Sequence, residues 1–98
     1  MIAIKSIRLI TIKEAMRRRG RKSSQHYADI QMRIAPPTIH IGNRGVRHIE
    51  HEIEAVIRAE VAGKSVDEIK SLIEELIANR PILLDQCLDD IFSQKDSK

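Results

Sequence analysis

The residues best suited to chemistry form a basic run followed by short polar side chains. Five of the six residues from position 17 to 22 are arginine or lysine, and Gly20 interrupts them. The next four residues are Ser23, Ser24, Gln25 and His26. Basic side chains bind phosphate oxygens, and polar side chains at the start of a helix reach base edges in the major groove. The run therefore suggests contact with duplex DNA, although six residues alone fit a solvated surface turn better.

The distribution of charge favours the DNA interpretation. Residues 1–50 contain eleven Lys and Arg against three Asp and Glu, whereas residues 51–98 contain six against eleven. The net charge of +3 thus hides one strongly basic half. Such a half indicates a polyanionic partner, because each neutralised phosphate releases condensed counterions. A membrane surface fits less well, since no large aromatic or apolar face accompanies the basic run.

The amino-acid composition argues against several other classes of protein. The chain has one Tyr, one Phe and no Trp, which argues against binding of single strands by stacking on aromatic rings. Cys87 is the only cysteine, so an internal disulfide and a cysteine-based zinc site are excluded. No apolar run approaches the ~20 residues of a membrane-spanning helix, and Lys5 interrupts the stretch where a signal peptide core would lie. These features predict a cytoplasmic protein.

Gly63-Lys64-Ser65 imitates the end of a phosphate-binding loop. The full motif needs a glycine five residues before Gly63 and a strand in front of the loop. Arg58 occupies that position, and the pattern before Gly63 is helical. A helix boundary explains these residues better, so we expect no nucleotide cofactor and no small-molecule substrate.

Neither the histidines nor the nucleophilic residues form a recognisable metal site or catalytic site. His48 and His51 lie three residues apart, but a zinc site needs further convergent ligands with supporting hydrogen bonds. The nucleophile candidates Cys87 and Ser23 have no base and orienting partner at a recognisable spacing. The sequence therefore predicts no metal and no catalytic residue, and His48 is expected to be half-buried.

Two short helices must position the basic run. Thr11 and Glu14 have the spacing of a capping box, which predicts a helix over 12–19 that ends at Gly20. A second helix is predicted to begin at Ser23 or Ser24, both favoured N-cap residues. Its inward positions are predicted to be Tyr27, Ile30 and Ile34. The stretch Ala35-Pro36-Pro37 is predicted to end the helix. Two short helices joined by a glycine-containing turn make a helix-turn-helix unit.

A hairpin signal follows the second helix. Residues 38–41 and 46–49 are strand-like, and the four residues between them favour a turn. Such a hairpin would be a wing with Arg44 at its tip. Residues 7–10 are predicted to be a short strand or an extended lead-in.

The second half of the chain reads as helix. One helix is predicted from Glu50 to a stop at Gly63, and the capping box of Ser65 and Glu68 opens another that reaches about Asn79. Pro81 bars its continuation but suits the start of a final short helix. The buried positions of that final helix are taken to be Leu84, Leu88 and Ile91.

Several short motifs occur in a recognisable order between Arg8 and Arg80. They are Ile12-Lys13-Glu14-Ala15-Met16 before Gly20, Ser23-Ser24-Gln25-His26-Tyr27, Pro36-Pro37, Ile41-Gly42, Arg44-Gly45-Val46 and the stretch from Ala62 to Ile69. In this order they resemble the AlpA family of phage-type regulators, relatives of phage excisionases with a MerR-like winged helix-turn-helix. The chain departs from that family at His48-Ile49, where the family usually has Trp-Pro.

Together these features predict a mainly α protein with a small β-hairpin wing. A winged helix-turn-helix would occupy residues 1–62, and a C-terminal helical extension with a short tail would occupy residues 63–98. The resemblance implies a sequence-specific binder of double-stranded DNA that acts as a phage or mobile-element transcriptional regulator, or as an excision accessory factor.

The predicted DNA contacts fall into three groups. Phosphate contacts are assigned to Arg17, Arg18, Arg19, Arg21, Lys22 and, beside the wing, Arg47. The major groove is assigned to Ser23, Ser24, Gln25 and His26, and the minor groove to Asn43 and Arg44. The amide of Gln25 both donates and accepts, which suits the paired N6 and N7 groups of adenine.

A protein-interaction module, such as an anti-repressor or a recruitment adaptor, is the alternative. Its basic half would bind an acidic protein, and the apolar stripe of residues 69–77 would bind a partner helix. A homodimer through this stripe and residues 81–92 stays open. Cooperative head-to-tail assembly along DNA, implied only by the resemblance, also stays open.

Overall fold

Four helices and a three-stranded antiparallel sheet make up the computed structural model, which describes the backbone of residues 7–43 and 45–96 and the side chains of those residues as far as Pro81. The strands are β1 (Leu9–Ile10), β2 (Ile39–His40) and β3 (Val46–Ile49). The helices are α1 (Ile12–Arg19), α2 (Ser23–Gln31), α3 (Glu50–Val61) and α4 (Val66–Asp96). The predicted mainly helical class with a small β element is confirmed.

α1 begins and ends as its local signals require. The Thr11 hydroxyl accepts from the backbone N–H of Glu14 at 3.1 Å, and Gly20 ends the helix with φ 67°, in the left-handed region. The Glu14 carboxylate does not return to Thr11, however. It accepts instead from Arg17 and Arg18, because their charged donors lie one turn away on the same face. The predicted capping box is therefore only half formed.

α2 begins at Ser23 as predicted, but its N-cap residue and its C-terminal end differ from the prediction. Lys22 is the N-cap residue, and no side chain caps the helix. The helix ends at Gln31, earlier than the prolines require. Arg33 then takes φ 63°, and the N–H groups of Arg33 and Ile34 donate to the carbonyls of Ile30 and Asp29. This is a Schellman motif with arginine at the position where glycine is usual.

Of the predicted inward positions of α2, Tyr27 is wrong, whereas Ile30 and Ile34 are half-buried. Tyr27 is 48% exposed, whereas His26 and Asp29 are the buried residues of this helix. Ile34 lies beyond the end of α2 and packs against the core between α3 and α4. The helix is rotated from the predicted orientation because polar partners, and not an apolar surface, lie against its buried side.

The sheet has the strand order β1-β3-β2, with both pairs antiparallel. Ile10 pairs with His48, and Ile39 pairs with Arg47. The Ile41 N–H donates to the Gly45 carbonyl at 3.0 Å and closes the β2–β3 hairpin. Arg44, predicted at the tip, lies outside the described residues.

Two apolar clusters hold the helices together. Ile10, Ala15 and Ile53 join β1, α1 and α3. A second group, here called the α3–α4 core, consists of the buried residues Val56, Ile69 and Ile73. Leu72, Leu76 and Ile77 extend the second cluster as half-buried neighbours, which places the predicted stripe of α4 against α3.

The C-terminal prediction is wrong at Pro81. α4 does not stop near Asn79 but continues through Pro81 as one helix of 31 residues. Proline lacks the N–H that would bond to the Ile77 carbonyl, so the helix passes this residue at the loss of one backbone hydrogen bond. The predicted burial of Leu84, Leu88 and Ile91 lies outside the described side chains. Among the helices of residues 7–43 and 45–96, none combines the length and apolarity needed to cross a membrane.

Candidate nucleic-acid interface

α2 presents one polar and aromatic face to solvent. Ser24, Tyr27, Ala28 and Gln31 recur at i, i+3, i+4 and i+7, and so share one side of the helix. Ala28 is half-buried and the other three are exposed. These four residues are called the exposed α2 face below. Two exposed cations, Lys22 and Arg33, stand at the two ends of the helix.

The opposite side of α2 is held by a buried arginine. The Arg19 side chain has no exposed surface, and its Nη2 donates to Asp29 Oδ2 at 2.9 Å. Its Nη1 lies 2.9 Å from Nδ1 of His26. His26 Nε2 in turn lies 2.9 Å from Nε2 of His48 on β3. These four residues, Arg19, His26, Asp29 and His48, form the buried polar network.

The donors and acceptors of this network fix both histidine tautomers. Arginine only donates, so Nδ1 of His26 must accept and its proton must lie on Nε2. That proton is donated to Nε2 of His48, which places the His48 proton on Nδ1. Within the described residues, Nδ1 of His48 is buried without a hydrogen-bond partner.

The same surroundings keep both histidines neutral. Burial, together with the nearby His26, Arg19 and Arg80, lowers the pKa of His48 to about 4. Burial also lowers the pKa of His26, with Arg19 acting in the same direction and Asp29 opposing. Neutral rings are what the chain of hydrogen bonds requires, because a second proton on either ring would remove the acceptor that receives its neighbour's N–H.

Two predicted DNA contacts are therefore wrong. Arg19 cannot bind a phosphate, because its side chain is fully buried and its Nη1 and Nη2 atoms contact His26 and Asp29. His26 cannot reach a base edge, because it has no exposed surface. His48, expected to be half-buried, is also fully buried. The signal available in the sequence was the i, i+3 spacing of His26 and Asp29, which places both side chains on one side of α2.

Much of the remaining basic run is engaged with acidic residues. Arg18 donates to Glu14 at 2.8 Å and to Glu50 at 2.9 Å, and its side chain is 26% exposed. Arg21 lies 2.6 Å from Glu60 and is 38% exposed. Since Glu50 and Glu60 belong to α3, these two arginines tie α1 and the turn after it to α3.

Most of the remaining predicted DNA contacts face solvent. Arg17 is 73% exposed while it donates to Glu14, whose pKa the hydrogen bonds from Arg17 and Arg18 lower to about 2. The predicted contacts at Lys22, Ser23, Ser24 and Gln25 are all exposed at the start of α2. In the hairpin, Asn43 is exposed, and half-buried Arg47 donates to the Val46 carbonyl at 2.8 Å.

Sequence reasoning missed a second buried ion pair. Glu52 on α3 has no exposed surface and accepts from Arg80 on α4 at 2.6 and 2.8 Å. Arg80 Nη2 also donates to the Pro37 carbonyl at 2.8 Å. This arginine connects α3, α4 and the segment that leads into the hairpin. Its partners lie 28 and 43 residues away, so no local pattern announced them.

The described residues bring no three His, Cys, Asp or Glu side chains together as a metal-binding group. No family model, curated protein or solved structure matches the chain. The function must therefore be inferred from the geometry of the described residues.

Proposed function

We propose that this protein binds duplex DNA by placing the exposed α2 face in the major groove. The β2–β3 hairpin acts as a wing, which makes residues 1–62 a winged helix-turn-helix. In line with the AlpA resemblance, the protein is proposed to regulate transcription of a phage or mobile element, or to assist excision.

One observation carries this proposal: a single helix turns a polar and aromatic face outward between two exposed cations. Ser24 and Gln31 can hydrogen-bond to base edges, and Tyr27 offers an aromatic ring and a hydroxyl. Lys22 and Arg33 are placed to bind phosphates on either side. The N-terminus of α2 has no acidic residue in its first turn, so its partial positive charge also favours a phosphate.

The rotation of α2 changes the set of proposed contacts. Ser24 and Gln25 remain, Tyr27 and Gln31 join them, and Arg19 and His26 are removed. Arg18 and Arg21 are paired with glutamates of α3, so they contribute less positive charge to the surface than the sequence alone suggests. The proposed phosphate contacts are Arg17, Lys22, Arg33 and Arg47.

The protein-interaction alternative draws support from those same ion pairs. Glu50 and Glu60 neutralise Arg18 and Arg21, which weakens the argument from net charge alone. The salt dependence of binding separates the two functions. For about four neutralised phosphates, the logarithm of affinity should fall with the logarithm of salt concentration at a slope of about −3 to −4. A flat response, or no retention on DNA, would favour the interaction module.

Tyr27→Ala tests the exposed α2 face directly. We expect it to weaken binding to a selected duplex by about 1–3 kcal/mol, since the ring would lie at the centre of the contact. Stability should change little because Tyr27 is 48% exposed. Arg58→Ala is the matched control: it removes an exposed charge on α3, outside the proposed surface, and should leave affinity within about twofold of wild type. Equal losses in both variants would contradict this placement of the groove.

A further inference from the structure

Gln25 is the one residue of the proposed base-reading set whose side chain is anchored to the buried polar network. Its Nε2 donates to Asp29 Oδ1 at 2.7 Å, one turn along α2. The Asp29 side chain is 1% exposed, and its other oxygen accepts from Arg19 at 2.9 Å. Gln25 itself is exposed, so its amide spans the boundary between the network and solvent.

The chemistry of Asp29 decides which end of that amide faces inward. A carboxylate paired with an arginine can only accept hydrogen bonds. The Gln25 nitrogen must therefore face Asp29, because the amide oxygen would be repelled there. On a planar amide the oxygen lies across the Cγ–Cδ bond from the nitrogen. With one N–H of the nitrogen committed to a buried carboxylate, the oxygen is the acceptor that is turned away from Asp29 and open to a ligand.

We propose that Gln25 acts as a hydrogen-bond acceptor in the major groove and selects a base with an exocyclic amino group. In that groove such a group is N6 of adenine or N4 of cytosine, whereas guanine and thymine present only acceptors and, in thymine, a methyl group. The inference rests on the proposed function and deepens it. One of the two N–H groups of the Gln25 nitrogen donates to Asp29, so the inference assigns recognition to the amide oxygen alone, in place of the paired N6 and N7 contact with adenine expected from sequence.

The first step of the test finds the base that Gln25 contacts. Duplexes are selected from a randomised pool with the wild-type protein and with Gln25→Ala, at one salt concentration. The position whose preference disappears in Gln25→Ala is the contacted base pair. Each Watson–Crick pair carries one exocyclic amino group in the major groove, N6 of adenine or N4 of cytosine, so this step identifies the base for the atom-level test. If no position is affected by Gln25→Ala, the inference is overturned.

The second step removes single atoms from that base and uses the wild-type protein. If the base is adenine, purine without the 6-amino group should lower affinity about fivefold, which is the worth of one hydrogen bond. The 7-deaza analogue, which lacks N7, should bind within about twofold of adenine. If the base is cytosine, the analogue without the 4-amino group should show the fivefold loss. A 7-deaza loss as large as the amino loss means a paired contact and overturns the inference.

Gln25→Ala is the control for every analogue, and it should bind all of them with equal affinity. These arms need no variant of Asp29, so loss of folding cannot obscure them. Failure of the inference and failure of the proposed function are distinguishable. If no duplex is retained and binding has no salt slope, DNA binding is wrong and the inference falls with it. If a site is selected but Gln25 fails the analogue test, DNA binding stands and only the acceptor role is overturned.

Discussion

The two sides of the helical body are held together in different ways. α2 is held by the buried polar network, in which Arg19, His26 and Asp29 each meet a specific donor or acceptor. α4 is held by the α3–α4 core, where Val56, Ile69 and Ile73 bury apolar surface. Hydrophobic burial has no direction, whereas a hydrogen bond weakens steeply when its angle changes. The difference indicates that the rotation of α2, and with it the exposed α2 face, is set by polar contacts.

Arg19→Ala should have the largest effect on the region that holds α2. The variant removes the closer of the two arginines on the buried Asp29 carboxylate, leaving only Arg21 at 3.5 Å, and it removes the donor to His26. Breaking a buried ion pair in this way costs about 3–5 kcal/mol, so we expect a loss of unfolding free energy of that size. Urea unfolding followed by circular dichroism measures it.

A double variant provides the control for Arg19→Ala. Arg19→Met combined with Asp29→Leu removes both charges and keeps side-chain volume, so it should recover much of the lost stability. The recovered protein should still bind DNA poorly, because apolar packing would no longer fix the rotation of α2. A single Arg19→Ala variant that loses less than about 1 kcal/mol would show that the network does not hold α2.

The contrast between the two regions also explains which features the sequence could predict. The caps at Thr11, Gly20 and Ser65 depend on neighbours within four residues, and all three act at the predicted helix ends. The hairpin and α3 followed from similarly local patterns. Local rules failed where distant partners decide the structure.

The failures are concentrated at the candidate interface. The sequence predicts a phosphate contact at Arg19, because nothing in a basic run distinguishes the arginine that is buried against Asp29, ten residues later. Tyr27 is predicted to face inward because it is more hydrophobic than its neighbours His26 and Asp29. The groups that pack against the buried side of α2 are polar, however, and they select His26 and Asp29 instead. Exposure of Ser23, Ser24 and Gln25 was predicted correctly, since these residues precede the part of α2 that packs on the network.

A fall in pH should have the next largest effect, a loss of stability in the buried polar network. The unfolded histidines, with an ordinary pKa of 6.5, take up protons as the pH falls, while native His48, with a pKa of about 4, stays neutral. Stability is therefore complete above about pH 6.5 and is lost as the pH falls towards about 4. We expect a loss of about 2–3 kcal/mol across this range, seen by urea unfolding at several pH values.

Two variants assign that loss to the network. His48→Gln keeps an acceptor near the place of Nε2 but does not titrate, so stability should depend less on pH between 6.5 and 4.5. Ile73→Ala in the α3–α4 core should cost about 2–4 kcal/mol and leave the pH dependence unchanged. Glu14 does not interfere, because its lowered pKa removes its contribution only below its ordinary value of 4.5. A wild-type stability that is flat from pH 6.5 to 4.5 would contradict the prediction.

The smallest effect is expected at Arg33, which follows the C-terminal end of α2. Arg33 has φ 63° in the Schellman motif, and a side chain in this region costs about 1 kcal/mol that glycine does not. Arg33→Gly should therefore raise the melting temperature by about 4–8 °C. The same change removes an exposed cation beside the proposed groove, so DNA affinity should fall about three- to tenfold. Arg33→Lys, with the same backbone strain and the same charge, should stay close to wild type in both measurements. Because stability and affinity move in opposite directions, a folding defect cannot imitate the result. A stabilised Arg33→Gly variant with unchanged affinity would end the DNA-binding surface at Gln31, leaving Lys22 as the only phosphate contact flanking α2.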